Sequence, residues 1–275
     1  MISYIREKVV PLFQIFNMKI KEVVAALERF APLPLQEGYD NAGLQIGLTE
    51  AEASGVLLCL DVTEPIIREA EEKGCNLIIS HHPLLFRGLK CISGRTYTER
   101  CVRQAVLSNI AICSEHTNLD NASGGVNFKI AQKLQLQNVR FLLPAGEGGS
   151  GIIGELPEPV EPLTFLNRVK SVFGVDCLMH NEGPNGLVRR VALCGGAGDF
   201  LLEQAILAEA DVFLTGEMGY HHYFGHENDL WIGVLGHYQS EKFTIELMQE
   251  ILTESFPDLR IFQTEIDTNP IHYLK

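Results

Sequence analysis

Nine histidines stand in this chain, and seven of them fall in three places: His81-His82, His116, and the run His221, His222, His226, His237. Carboxylates accompany them, as His116-x-x-x-Asp120, His237-x-x-x-Glu241, and Glu217 just ahead of the run. Neutral imidazoles combined with carboxylates suit zinc, iron, manganese or nickel, and a carboxylate can bridge two ions. Each element also has an ordinary explanation. A histidine pair can be a surface or core pair, and a His-x-x-x-acid spacing can be a helical salt bridge or cap. Their coincidence carries the metal reading, because the elements fall at the ends of expected strands and two of them recur.

The recurrence is an internal repeat. Residues 59–80 (CLDVTEPIIREAEEKGCNLIIS) align without a gap on residues 194–215 (CGGAGDFLLEQAILAEADVFLT). Residues 110–120 (IAICSEHTNLD) align on 231–241 (WIGVLGHYQSE), which pairs His116 and Asp120 with His237 and Glu241. His81-His82 follow the first copy's second apolar run where the other copy reads Gly216-Glu217. Ligand-type side chains thus sit at the ends of equivalent strands in two halves, which is where open α/β sheets bind ligands.

The elements that must hold these residues read as alternating strands and helices. Helical spacing over 19–30 (Ile20, Val23, Val24, Leu27) ends at Pro32 and Pro34. Turn chemistry at 40–43 precedes a short strand, residues 55–61 form a buried strand, and 65–73 a helix opened by Thr63. Further strands are expected at 76–80 and 110–113 around a helix at 99–108. The second half carries a helix at 163–173, a strand at 187–194, a helix at 200–208, strands at 212–215 and 231–235, and a helix at 242–252. Such alternation predicts βαβ units with mainly parallel sheets. The expected class is therefore α/β: two related units at 18–143 and 144–275, parted by a loop rich in Gly and Pro from Pro144, with a metal site in the cleft between them. The C-terminal helix and tail could pack back on the first unit. Residues 1–17 precede a natural start at Met18 and read as an extension.

Composition narrows the classes. A chain of 275 residues with 46% apolar and 21% charged residues buries well-formed cores. A net charge of −13 without Lys/Arg clusters argues against general nucleic-acid binding. No apolar run approaches the roughly 20 residues of a membrane span, and the N-terminus lacks a secretory cleavage pattern. Seven scattered cysteines without a C-x-x-C pair suit reduced thiols, mostly packed as small hydrophobes, in a cytoplasmic protein.

Taken in order, YDNAGLQIG (39–47), SHHPLLF (80–86), HTNLD (116–120), TGE (215–217), HH (221–222) and GHYQSE (236–241) resemble the Nif-three-like family. These are dinuclear-metal α/β proteins also described as GTP cyclohydrolase I type 2, with YbgI-type bacterial members. The resemblance runs from residue 18 to the C-terminus and matches the compact form, without the inserted middle domain of longer members. It implies two divalent ions held by His81, His82, Asp120, His237 and Glu241, with Glu241 bridging, and it implies a hexameric ring. His116 is then left as a proton shuttle or as an orienting neighbour, and Glu217, with His221 and His222, as a further lining group. His226 reads as structural. The Gly-rich turn at 194–199 could cradle phosphate at a helix start or be only a tight turn, and Asp40 and Asn41 fit both a turn and a site.

The leading expectation is a dinuclear metal-dependent hydrolase, in which metal-activated water attacks a small, nucleotide-like substrate, with His116 and Glu217 as catalytic candidates. For a cyclohydrolase the attack falls on C8 of guanine and opens the imidazole portion. The alternative is a non-catalytic metal-binding regulatory or scaffold protein. A Rossmann-type binder is disfavoured, because no G-x-G-x-x-G follows the first strand of either half.

Overall fold

A computed structural model describes residues 18–274; residues 1–17, where the extension is expected, and Lys275 lie outside the described residues. The first sheet is built from β1 (Gly43–Ile46), β2 (Val56–Cys59), β3 (Leu77–Ser80) and β4 (Ala111–Ser114). Helices α1 (Ile20–Phe30), α2 (Glu64–Glu72), α3 (Tyr97–Leu107), α4 (Thr117–Asn121) and α5 (Val126–Lys133) accompany it. The second half begins with β5 (Gln137–Ala145) and β6 (Gly148–Val160), followed by α6 (Pro162–Phe173), β7 (Met179–His180) and β8 (Val188–Cys194). It continues through α7 (Leu202–Leu207), β9 (Val212–Thr215), β10 (Trp231–Val234), α8 (His237–Glu241), α9 (Thr244–Ser255) and β11 (Ile261–Gln263).

The strand orders are β1-β4-β3-β2-β11 and β5-β6-β8-β9-β10-β7. In the first sheet only β1 runs antiparallel, and in the second the triplet β8-β9-β10 is parallel while β5, β6 and β7 are antiparallel. The second sheet is therefore mixed. Strands β2, β3 and β4 are buried along their whole length, as expected for parallel strands covered on both faces. One face of each sheet joins α1, α5, α6 and α9 in a shared central core, with Phe165, Phe173, Leu27 and Met248 fully buried. The outer face of the first sheet packs on α2 and α3, and that of the second on α7. Lys129 and Lys133 of α5 tie the middle layer together through Glu250 and Glu246 of α9.

Two local expectations change. The Gly/Pro-rich stretch after Pro144 is not a loop, since Gly148–Val160 is a strand of the second sheet, paired on both sides. Its glycines allow backbones to close in: a Cβ on Gly149 would lie 2.6 Å from the Leu143 carbonyl oxygen. The division at 143/144 consequently falls inside β5, which belongs to the second sheet, while β11 returns to pair with β2 in the first. Thr63 does occupy the N-cap of α2 but makes no side-chain cap; Pro65 in the first turn fixes the start instead.

The repeat is visible as β2-β3-β4 and β8-β9-β10, with Cys59 paired to Ser80 and Cys194 to Thr215. Further along it slips by one residue. Ser80 pairs with Ser114 whereas Thr215 pairs with Val234, and the N-cap of α4 is His116 whereas that of α8 is Gly236. In space, then, Thr117 corresponds to His237 and Asn121 to Glu241. The expected equivalence of His116 with His237, and of Asp120 with Glu241, is corrected by this displacement. Cys59, Cys75, Cys101 and Cys113 are buried as expected, while Cys91 and Cys177 are exposed. Among the described residues no helix is long and apolar enough to cross a membrane.

Candidate metal centre

His81 and His82 leave the end of β3 in an irregular turn, so both rings can face the same cleft although successive strand residues would diverge. The turn is pinned from both sides: the His81 amide donates to the Cys59 carbonyl (3.1 Å) and the His82 amide to that of Leu60 (2.9 Å). The hydroxyls of Ser114 and Ser80 donate to the His81 and His82 carbonyls, at 2.6 and 2.8 Å. Asp120 comes from α4, beyond β4. His237 and Glu241 come from one turn of α8, beyond β10, where i,i+4 spacing puts both on one face. All five expected ligands converge.

Glu241 is the centre of the arrangement and is 3% exposed. Its Oε1 lies 3.6 Å from His81 Nε2, which is itself 3.7 Å from Asp120 Oδ1. Its Oε2 lies 3.0 Å from His82 Nε2 and 3.2 Å from His237 Nε2. The carboxylate thus faces a His81–Asp120 group with one oxygen and a His82–His237 group with the other, and in each group the donor atoms lie within 4.8 Å of one another. Backbone must yield at this point: a Cβ on Gly196, whose φ is +63°, would sit 2.3 Å from Glu241 Oε1.

The donor set fits divalent ions. Among the described residues the buried His81 Nε2 has no hydrogen-bond partner, an expensive arrangement unless a ligand completes it. Each ring also has its far nitrogen held, which fixes the orientation a metal-binding imidazole needs. His81 Nδ1 meets the Glu115 carbonyl at 2.8 Å, His82 Nδ1 meets Asp61 Oδ1 at 2.8 Å, and His237 Nδ1 meets Glu217 Oε1 at 2.8 Å. Asp61 is held in turn by Thr268 of the C-terminal tail, whose hydroxyl donates to Oδ2 at 2.8 Å.

Electrostatics in the protein alone are those of an imidazole cluster around an anion. Burial opposes the charge on His82, but Asp61 and Glu241 outweigh it and push the ring to about 10. The same opposition, won by Glu241, takes His237 to about 9. Burial would raise Glu241, yet His81, His237 and His82 hold it well below the ordinary carboxylate range. Burial raises Asp120, and it lifts the enclosed Glu115 to about 8.

His116 stands beside the cluster, with a ring nitrogen within 4.8 Å of nitrogens of His81 and His82. Its Nδ1 is 2.7 Å from Asp40 Oδ1, and Thr117 also bonds Asp40 through its amide and hydroxyl. Burial raises Asp40, but these bonds prevail and hold it at about 2. Asp40 is therefore part of the site as well as of its turn. The Asn41 side chain donates to the Leu85 carbonyl, at 2.7 Å, and its backbone amide to Asp40 Oδ1, also at 2.7 Å. Glu217 touches the cluster through His237. His221 and His222 lie outside the donor groups on an exposed turn, with His222 3.4 Å from Asp199, and His226 pairs with Asp229 at 2.9 Å. Sequence reasoning missed Asp61; the signal was an acid just past the strand next to the His81-His82 strand.

A cavity of about 180 Å³ opens on the cluster, and Asp120, His116, His237, Glu241, Tyr39 and Phe200 are among the residues that line it.

A family model described as DUF34/NIF3 (NGG1p interacting factor 3) matches residues 18–270. The chain is 33% identical over 262 residues to a Lactococcus lactis protein named GTP cyclohydrolase 1 type 2 homolog, covering 93% of this chain and 99% of that one. It is 34% identical to NIF3-like protein 1 of Drosophila melanogaster, covering 93% and 89%. Among solved structures, the Staphylococcus aureus protein SA1388 superposes with a TM-score of 0.86 at 25% identity, over 94% of this chain and 100% of that one. Reduced HcgD from Methanocaldococcus jannaschii does so with a TM-score of 0.75 at 27% identity, over 90% and 98%. On sequence and fold together, the chain belongs to the DUF34/NIF3 family.

Proposed function

We propose that this protein is a dinuclear metal-dependent hydrolase acting on a small, nucleotide-like molecule. The observation that carries the reading is the Glu241 carboxylate, turned with one oxygen to His81 and Asp120 and with the other to His82 and His237. Names of relatives such as GTP cyclohydrolase 1 type 2 homolog support the reaction class. Bound divalent cations supply a water acidified toward neutral pH and a clamp for developing negative charge. Zinc, iron, manganese and nickel all suit these donors.

His81, His82, Asp120, His237 and Glu241 hold the ions. Asp61, the Glu115 carbonyl and Glu217 keep the three imidazole planes in place, so Glu217 is a positioning residue rather than a catalytic one. His116 is the proton carrier. Asp40 remains a carboxylate, retains the proton on His116 Nδ1, and leaves Nε2 to take a proton from the attacking water and return it to the leaving group. A poised base outside the ligand set favours the enzyme over a metal-binding scaffold. A cytoplasmic homo-oligomer, hexameric by family resemblance, belongs to the same reading.

The test is His116→Ala, assayed for metal content and for turnover over a panel of nucleotides and nucleosides. The expected result is unchanged metal and a rate lower by about 10²–10⁴-fold, the usual contribution of a general acid or base. A loss seen instead in metal affinity, about 10–100-fold, makes His116 an orienting residue. Both properties unchanged removes it from the site.

A further inference from the structure

His81 and His116 are joined through a single peptide unit. The Glu115 carbonyl meets His81 Nδ1 at 2.8 Å. A carbonyl only accepts, so Nδ1 carries the proton and Nε2 turns its lone pair toward Glu241 and Asp120. On the other side of the same plane is the His116 amide, which donates to Asn118 Oδ1 at 2.9 Å. A trans peptide is planar, with its C=O and N–H directed oppositely. A rotation of the 115–116 plane that loosens one of these bonds therefore loosens both. Asn118 itself is fixed. It is fully buried, and its Nδ2 donates to the Ala31 carbonyl at the end of α1 (2.8 Å) and to Glu115 Oε2 (2.6 Å). Both of its N–H groups have acceptors and its oxygen has a donor, which settles the orientation of the side-chain amide. Beyond the peptide, His116 Nδ1 meets Asp40 at 2.7 Å, and the His116 ring stands edge-on to that of His81 with centroids 5.3 Å apart. One buried amide thus reaches both a metal ligand and the proton carrier.

We propose that Asn118 is a positioning residue of the metal centre: by pinning the 115–116 peptide plane it sets the His81 ring toward Glu241 and Asp120, and the His116 ring toward the cavity, as one unit. The His81 arm needs only the metal centre, whereas the His116 arm rests on the hydrolase reading. Asn118 touches neither the donor groups nor the cavity, so it acts only through the peptide it holds.

The experiment compares the unsubstituted full-length protein with Asn118→Ala and Asn118→Asp, each loaded with zinc. NMR follows the Nδ1–H protons of His81, His116 and His82, and competition with a chelator gives the zinc affinity. Asn118→Ala should move or abolish the His81 and His116 signals together and leave that of His82, which Asp61 holds, in place. Zinc should bind about 10-fold more weakly, the low end for a partner outside the ligands themselves. Asn118→Asp keeps an oxygen acceptor for the His116 amide and should restore both signals. A role confined to tying α4 to α1 gives a different pattern in folded Asn118→Ala, with all three signals unchanged or all three disturbed alike, and either result overturns the proposal. So does loss of the His81 and His116 signals in Asn118→Asp while that of His82 persists. Exchange into deuterated solvent tests the unsubstituted zinc protein without any variant. One rotation exposes both protons, so the His116 amide and His81 Nδ1–H should be protected to the same extent, and protection differing by about ten-fold or more overturns the proposal. Turnover is read separately. Signals and zinc affinity that change as described, with no hydrolysis by any form, refute the hydrolase reading and leave the role of Asn118 at the metal centre intact.

Discussion

Replacing Glu241 by Gln keeps the shape of the side chain and removes the charge on which both imidazole groups depend. In the metal-free protein the His82 ring rises from 6.5 to about 10, which corresponds to roughly 5 kcal/mol of net interaction with the charged ring at ~1.4 kcal/mol per pH unit. Asp61 and Glu241 share it against burial. A Coulomb estimate for Glu241 alone, with Oε2 at 3.0 Å and an effective dielectric of about 20, gives roughly 5 kcal/mol. Assigning Glu241 roughly half of the observed effect is therefore conservative, and Glu241→Gln should bring His82 to about pH 8. NMR titration of the imidazole Cε1 protons in metal-free protein measures this directly. The stability profile should follow. His82 and His237 have raised values, so their stabilisation is fully present below about 6.5 and is lost as pH rises through about 9 and about 10. In the variant that loss should still set in above about 6.5 but be complete at a lower pH, nearer to 8 for His82, and be smaller. Elemental analysis of the same variant supplies the second readout. Loss of an outer partner of a metal ligand costs about 10–100-fold in affinity, so loss of a ligand shared by both groups should exceed that. A variant that retains two ions per chain, with an unmoved His82 titration, would refute the bridging role of Glu241.

Two further outcomes are expected. Metal binding at pH 7 should release protons, about two per chain if both rings are fully charged beforehand, because His82 and His237 carry charge near neutrality in the metal-free protein and must lose it to become ligands. Calorimetry in buffers of different ionisation enthalpy measures the number, and a heat independent of buffer contradicts it. Thr268→Ala should free Asp61 and weaken metal binding by about 10-fold, with Thr268→Ser restoring it; equal affinity in all three proteins would show that the tail does not position His82.

Much of the site was legible because its residues obey short-range rules. His81-His82 directly follow an apolar run, and His237 and Glu241 share a helix face, so their placement at strand ends followed from spacing alone. What escaped depends on contacts distant in sequence. Asp61 is an ordinary acid until His82 turns back on it, and Thr268 is a tail residue until β11 brings it to Asp61. The one-residue slip between the repeats was hidden because a gapless alignment scores residue type, while register is set by ladder hydrogen bonds: Glu115 donates to Ser80, but Leu235 donates to Thr215. The strand Gly148–Val160 reads as a loop in the sequence for a related reason. Its glycines and prolines carry low strand propensity, and only the close approach of β5 and β8 makes small residues the better choice there.

The return of β11 to the first sheet bears on the order in which the protein is made. Ile261 pairs with Val56 and Phe262 with Leu57, so the first sheet is completed by a strand made 205 positions after the one it joins (261 − 56). His82 and Glu241 are separated by 159 positions, which at 5–20 residues per second is roughly 8–30 s of synthesis. During that interval the His81-His82 turn exists without the Glu241 carboxylate that faces it and without Thr268 behind Asp61. An ion captured then meets only a fragment of the donor set. The complete set of candidate donors therefore exists only once both sheets are closed around the cluster.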